Sequence, residues 1–203
     1  MLRRVAILLF SIFILTRCTT DSSIVQRIDS AVAILGEQPD SALSLLRSIS
    51  ADSIRDSESR ARHALYLSQA LDKNHIFLKS DSVIRPALDY YTDHGTKREK
   101  MLVNNYYARI LINTDSLDRA LPYLLAAEKF AVDIRDQEQL GLIYNQIGYI
   151  FGMHKTQQEA EEAYLQSLEA FQKAGKSLSS IQTLHSLAKL KAKTGDFSEA
   201  VRY

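Results

Sequence analysis

The sequence repeats itself at a spacing of 40 residues in its C-terminal half. Small residues recur at two places in three successive copies: Ala108, Gly148 and Ala188 at the first, and Ala120, Ala160 and Ala200 at the second. A fixed period of this length is typical of stacked repeats, in which one unit cannot bury its apolar face alone and packs against the next. The repeat therefore predicts a solenoid.

Each copy contains two apolar stripes with helical spacing. In the middle copy they lie in "LGLIYNQIGYIFGMH" and "TQQEAEEAYLQSLEAFQKAG", where apolar residues stand three and four positions apart. Gly175 marks the end of the second helix, and the small residues Gly148 and Ala160 let the two helices approach closely. With only 7 Gly and 3 Pro, the chain lacks the turn residues of a β protein. The predicted fold class is all-α, a solenoid of antiparallel helix hairpins with a period of 40 residues.

The second helix of each hairpin is expected to begin at a capping residue. Ser116, Thr156 and Asp196 occupy the same place in the three copies, and their side-chain oxygens are suited to accept an unpaired backbone N–H. Glu159 and Glu199 follow three residues after the last two. These spacings predict a reciprocal capping box at both places.

The order of bulky, small and aromatic residues resembles a tetratricopeptide repeat. The matching residues of the middle copy are Tyr144, Ile147, Gly148, Phe151, Ala160, Tyr164 and Ser167. The usual tetratricopeptide period is about 34 residues, whereas HEAT repeats have the length seen in this chain. The paired Gly and Ala positions and the "GDFSEA" turn nevertheless favour the tetratricopeptide family. This resemblance implies a right-handed superhelix whose concave surface is lined by the first helix of each repeat and binds proteins or peptides.

The N-terminus has the layout of an export signal. Arg3 and Arg4 precede an apolar run over residues 5–15, which is too short for a membrane-spanning helix. The following "LTRC" resembles a bacterial lipobox, which implies lipidation of Cys18, although Arg17 stands where that motif has Gly, Ala or Ser. Two alternatives are a signal that is cleaved nearby and an uncleaved anchor, with Cys18 a bystander in either case. The predicted organisation is a signal peptide over residues 1–17 and one solenoid domain over residues 18–203, with its last repeat incomplete.

The candidate binding residues lie between the apolar stripes of the first helices. The concave surface that the resemblance implies would present polar, aromatic and basic side chains at outward positions: Asn105, Arg109, Asn145, Tyr149, His185 and Lys189. Asn side chains can hydrogen-bond a peptide backbone, and Arg109 or Lys189 can hold a carboxylate. The alternative interpretation is an ordinary solvated helix face.

Other function classes lack their sequence signals. The five histidines never stand four residues apart, and the sequence contains no HExxH, CxxC or glycine-rich phosphate loop. We therefore predict no catalytic residues, no metal site, no cofactor and no small-molecule substrate. The formal net charge of +1 provides no basic surface for nucleic acid.

These observations predict a non-enzymatic protein-interaction scaffold, held at the cell envelope by its N-terminal lipid or signal anchor and facing the periplasm or the cell surface. The chain also resembles the N-terminal part of tetratricopeptide proteins common in Bacteroidetes, through segments such as "PDSALSLLRSI" and "LDYYTDHG". Such proteins often continue into a transmembrane helix and a helix-turn-helix or histidine kinase module. The alternative function is thus the extracytoplasmic sensory half of a longer membrane-anchored regulator. Because the helix that begins at Asp196 has few residues left before Tyr203, we also expect the chain to be a fragment.

Overall fold

The computed structural model describes residues 22–203. This part of the chain contains ten α-helices and one short 3-10 helix, and it has no β-strand. The predicted all-α class is confirmed. The described residues divide into two compact units, one ending at Tyr90 and the other beginning at Tyr91. The prediction of a single solenoid domain stays a prediction.

The first unit contains the N-terminal helices. In chain order they are α1 (residues 22–34), α2 (Pro39–Arg47), the 3-10 helix (Ala51–Ser53), α3 (Ser57–Lys73) and most of α4 (Arg85–His94). The core between α1, α2 and α3 includes small and branched apolar residues such as Ala31, Leu46 and Leu71. The buried His63 ring shares a 2.9 Å hydrogen bond through Nε2 with the Leu46 carbonyl, which ties α3 to α2.

The second unit contains the helices of the 40-residue repeat. After the last residues of α4, they are α5 (Lys97–Asn113), α6 (Leu117–Ile134), α7 (Gln137–Met153), α8 (Gln157–Lys173), α9 (Ser177–Thr194) and α10 (Phe197–Ala200). Each of the first five of these helices packs against the next one along the chain. Because the turns between them are short, neighbouring helices run in opposite directions, which confirms the predicted hairpins. This is the packing of an α-solenoid.

Left-handed residues end the helices of the second unit at regular intervals. The residues with positive φ stand 20 apart, at Asp115, Arg135, Lys155, Gly175 and Gly195. The next N–H in each case donates to a carbonyl five residues earlier, as from Ser116 to Leu111 at 2.8 Å. This is the Schellman motif. Each 40-residue repeat is therefore built from two helix-turn units of equal length.

The capping predictions are only partly correct. Asp196 accepts a hydrogen bond from the Glu199 N–H at 3.1 Å, as expected. The reciprocal capping boxes predicted at Thr156 and Asp196 do not form, because the Thr156 N–H donates to the Phe151 carbonyl and the Asp196 N–H to the Lys191 carbonyl, both at 3.0 Å. The predicted side-chain caps at Ser116 and Thr156 are wrong, because neither side chain accepts a bond from its helix. The Thr156 hydroxyl instead donates to the Phe151 carbonyl at 3.2 Å. A hydroxyl can donate to the preceding helix in this way, whereas an ionised aspartate can only accept.

The reciprocal capping box of the second unit lies at the start of α5. Thr96 Oγ1 accepts the Glu99 N–H at 3.3 Å, and Glu99 Oε2 accepts the Thr96 N–H at 2.9 Å. Two otherwise unpaired backbone donors are satisfied at this helix end.

The small residues of α7 allow close packing against α8. A Cβ atom added to Gly148 would lie 2.8 Å from the Tyr164 ring, and one added to Gly141 would lie 2.6 Å from the Phe171 ring. The predicted role of Gly148 as a site of close approach is confirmed.

The predicted signal peptide and the lipid acceptor Cys18 fall on residues 1–21, which lie outside the described residues. Among the helices of residues 22–203, none has both the length and the apolar character that a membrane span requires.

Candidate functional site

Helices α5, α7 and α9 line a groove of about 400 Å³ in the second unit. We call it the amide groove because three amide side chains contribute to it. Its lining residues are Arg109, Ile112, Asn113, Asn145, Gln146, Tyr149, Tyr164 and Ser186. All but Tyr164 come from the first helix of a hairpin, which is the set of helices that the sequence analysis selected.

A second groove of about 400 Å³ adjoins the first and shares Tyr149, Tyr164 and Ser186 with it. We call it the lysine groove, since Lys189 and Lys193 lie along it together with apolar side chains such as Met153. The two grooves give a continuous surface that is polar at one end and more apolar at the other.

Four of the six predicted binding residues lie along these grooves. Arg109, Asn145 and Tyr149 line the amide groove, and Tyr149 and Lys189 line the lysine groove. Asn145 and Tyr149 stand four residues apart on α7, and Arg109 stands 40 residues before Tyr149, at the equivalent place on α5. Helix periodicity and the repeat bring them to one face, as expected. His185 is exposed but lines neither groove.

The structure differs from the sequence prediction at Asn105. Its side chain was expected to point outward, yet the residue is only 1% exposed. Asn105 Nδ2 donates to Gln139 Oε1 at 3.2 Å, and its Oδ1 accepts from Gln146 Nε2 at 2.6 Å. Two residues of α7 thus cover the position on α5, and Asn105 lies behind the groove instead of in it.

Gln146 is a groove residue that the sequence analysis missed. Its Nε2 also donates to the Leu142 carbonyl at 3.2 Å, whereas its Oε1 is buried without a hydrogen-bond partner. Leaving a buried acceptor unpaired costs about 1–3 kcal/mol. The available signal was a polar residue beside the apolar stripe of α7, three positions before Tyr149.

Asn145 connects α7 to α9 at the side of the groove. Its Nδ2 donates to Thr183 Oγ1 at 3.2 Å, and the Thr183 hydroxyl donates to the Ser179 carbonyl at 3.0 Å. The Asn145 amide is therefore held in a defined orientation.

The electrostatic character of the two grooves is basic. Arg109, Lys189 and Lys193 line them, and no Asp or Glu is among the described residues that do so. Burial, reinforced by Tyr149, raises the pKa of Tyr164 to about 12, so this phenol stays neutral at ordinary pH. Cations, amides and neutral hydroxyl groups therefore line this surface.

Within residues 22–203, no cluster of three His, Cys, Asp or Glu side chains is arranged to hold a metal ion.

Comparison with known proteins gives a likeness of fold. No known protein family matches the sequence, and no curated protein matches it either. Among solved structures, the chain is similar to BtubC (BKLC) from P. vanneervenii, with a TM-score of 0.58 and 18% sequence identity over 90% of this chain and 68% of that one. At this level of identity the likeness concerns the helical fold alone.

Proposed function

We propose that this chain is a non-enzymatic, tetratricopeptide-type scaffold that binds an extended, acidic peptide of a partner protein in the amide and lysine grooves. In this proposal the hairpins of the second unit wind as a right-handed superhelix with α5, α7 and α9 on the concave side. The small residue at Gly148 and the consecutive pairing of the helices support that assignment.

The observation that carries the proposal is the composition of the groove surface. It combines Arg109, Lys189 and Lys193 with amide side chains and no carboxylate among the described lining residues. Cations favour ligand carboxylates, and amides can pair with a peptide backbone that is extended along the groove. The apolar lining by Met153 and Leu190 gives room for an apolar side chain of the same peptide.

The proposal can be tested with a library of short peptides rich in Asp and Glu, and with a second library in which Lys and Arg replace them. Fluorescence anisotropy on the purified chain measures the dissociation constant. We expect acidic peptides to bind and basic ones not to bind. The affinity should fall as salt is raised from about 0.05 M to about 0.5 M, because exposed charges are screened.

A matched pair of variants separates the groove from general charge. Arg109→Gln combined with Lys189→Gln removes two groove cations, and Arg119→Gln combined with Lys129→Gln removes two exposed cations of α6. We expect the first pair to weaken binding by at least about tenfold, since charge-assisted hydrogen bonds contribute about 1.5–3 kcal/mol. Equal losses in both pairs would place the binding outside the grooves.

We further propose that Cys18 carries a lipid that tethers the scaffold at the cell envelope. The support is the apolar run over residues 5–15 and the position of the chain's only cysteine at its end. Cells that express the chain should incorporate labelled palmitate into it, and Cys18→Ala should abolish the label. Label that persists in Cys18→Ala would contradict the tether.

A further inference from the structure

Three amide side chains form a directional hydrogen-bond chain that ends at the amide groove. Gln146 donates to Asn105, and Asn105 donates to Gln139. Both bonds run from Gln146, which lines the groove, to residues behind it, so the carbonyl oxygen of Gln146 is the acceptor left at this end of the chain. This Oε1 has no hydrogen-bond partner, although Gln146 lines the groove and is only 8% exposed.

The orientation of the Gln146 amide is fixed by its surroundings. Its nitrogen contacts two acceptors, Asn105 Oδ1 and the Leu142 carbonyl. The Leu142 carbonyl can only accept, so exchanging nitrogen and oxygen of Gln146 would lose this bond and set two oxygens about 3.2 Å apart, even if Asn105 and Gln139 turned as well. The unpaired atom is therefore an acceptor, and the ligand must supply a donor.

Resting on the peptide-binding function proposed above, we propose that Gln146 Oε1 accepts a backbone N–H of the bound peptide and selects for a peptide with a free N–H at that position. The basic lining of the grooves disfavours a cationic donor such as Lys or Arg, and among neutral donors an extended peptide presents a backbone N–H at every residue except proline. Proline and N-methylated residues have no such hydrogen. Because Oε1 is closed to solvent in the unliganded chain, binding includes a movement of neighbouring groove side chains.

The test uses the tightest acidic peptide from the library. Each of its backbone N–H groups is N-methylated in turn, and dissociation constants are measured by fluorescence anisotropy for wild type, Gln146→Met and Gln139→Met. Gln146→Met removes the acceptor at similar side-chain length. Gln139→Met disturbs the same amide chain at its far end and keeps Gln146 Oε1.

We expect one N-methyl position to weaken binding about tenfold in wild type and in Gln139→Met, as the loss of a buried hydrogen bond predicts. In Gln146→Met the penalty at that position should shrink to less than about threefold. Steric effects of the methyl group are common to the three proteins, so the difference between them reports on the acceptor.

The inference is overturned if Gln146→Met keeps the full penalty, or if no single N-methyl position matters in wild type. Either result leaves the peptide-binding function standing, provided that loss of Arg109 and Lys189 still weakens the unmethylated peptide. If no acidic peptide binds the wild type, both proposals fall. Circular dichroism checks the fold of each variant, and Gln146→Leu replaces Gln146→Met if the latter does not fold.

Discussion

Gly148→Ala adds one methyl group at the place where α7 packs against the Tyr164 ring of α8. The new Cβ would lie 2.8 Å from Cδ1 and Cε1 of the Tyr164 ring and 3.0 Å from Cγ, whereas carbon atoms in contact prefer about 3.5–4.0 Å. The ring is only 7% exposed, so it must shift within a packed core or push the helices apart. Overpacking of this kind costs about 1–3 kcal/mol.

Helix propensity acts in the opposite direction. Alanine stabilises a helix interior by about 1 kcal/mol relative to glycine, so the net effect of Gly148→Ala is a loss of about 0–2 kcal/mol. Gly152→Ala is the matched control in the same helix. Its Cβ would meet Leu190 Cδ1 at 3.7 Å and Ala160 Cβ at 3.9 Å, which is ordinary contact. Gly152 stands one residue before the end of α7 at Met153, so this variant should gain a propensity term of up to about 1 kcal/mol.

Urea unfolding followed by far-UV circular dichroism gives the free energy of unfolding of each variant. The difference between the two alanine variants reports mainly the steric cost, since both gain a propensity term, and it should be about 1–3 kcal/mol in favour of Gly152→Ala. In a Tyr164→Ala background the ring is absent, and Gly148→Ala should then stabilise by about 1 kcal/mol. If the two variants agree within about 0.5 kcal/mol in the wild-type background, the ring does not lie against Gly148 and the reasoning is refuted.

Three further outcomes are expected from unfolding measurements. Thr96→Ala should lower the free energy of unfolding by about 1 kcal/mol through loss of the capping box. Thr156→Ala removes no cap, and the Phe151 carbonyl that loses the Thr156 hydroxyl keeps the Thr156 N–H at 3.0 Å, so it should lower the free energy of unfolding by less than about 0.5 kcal/mol; equal losses would contradict this. Lys155→Gly should raise the free energy of unfolding by about 0.5–1 kcal/mol, because the exposed Lys155 has a φ of 63°, and a decrease would argue against strain at that turn. Burial, together with the hydrogen bond to Glu128, raises the pKa of Tyr144 to about 12. The folded chain therefore keeps a proton that the unfolded chain loses at about pH 10. The free energy of unfolding should fall as the pH rises from about 10 towards about 12, and it should fall less in Tyr144→Phe. Identical pH profiles for the two proteins would oppose this.

The helices could be predicted because their signal is local. The apolar spacing of residues such as Ile143 and Ile147 follows the helical period, and the structure buries both residues. The 20-residue turn interval could not be predicted in the same way. Three of its five left-handed positions, Asp115, Arg135 and Lys155, are not glycine, and a sequence pattern for such a turn depends on glycine.

The position of the groove depends on contacts between repeats, which periodicity within one helix does not report. Asn105 and Asn145 stand at equivalent places 40 residues apart, as do Gln146 and Ser186. Gln146 is long enough to reach Asn105 and buries it. Ser186 is shorter, and its hydroxyl donates to the Gln182 carbonyl of its own helix at 3.2 Å.

The difference in length between Gln146 and Ser186 therefore buries Asn105 at the first hairpin and leaves a groove at the next, where Asn145 and Ser186 both line the amide groove. A pattern in which the first helices are equivalent places Asn105 on the surface for that reason. Each first helix is covered by residues of the hairpin that follows it. A repeat in which the side chains at equivalent positions differ in length therefore produces a local groove on an otherwise regular scaffold. If the proposed peptide-binding function holds, the residues that select the peptide are expected where the repeat departs from its own pattern, as it does between Gln146 and Ser186.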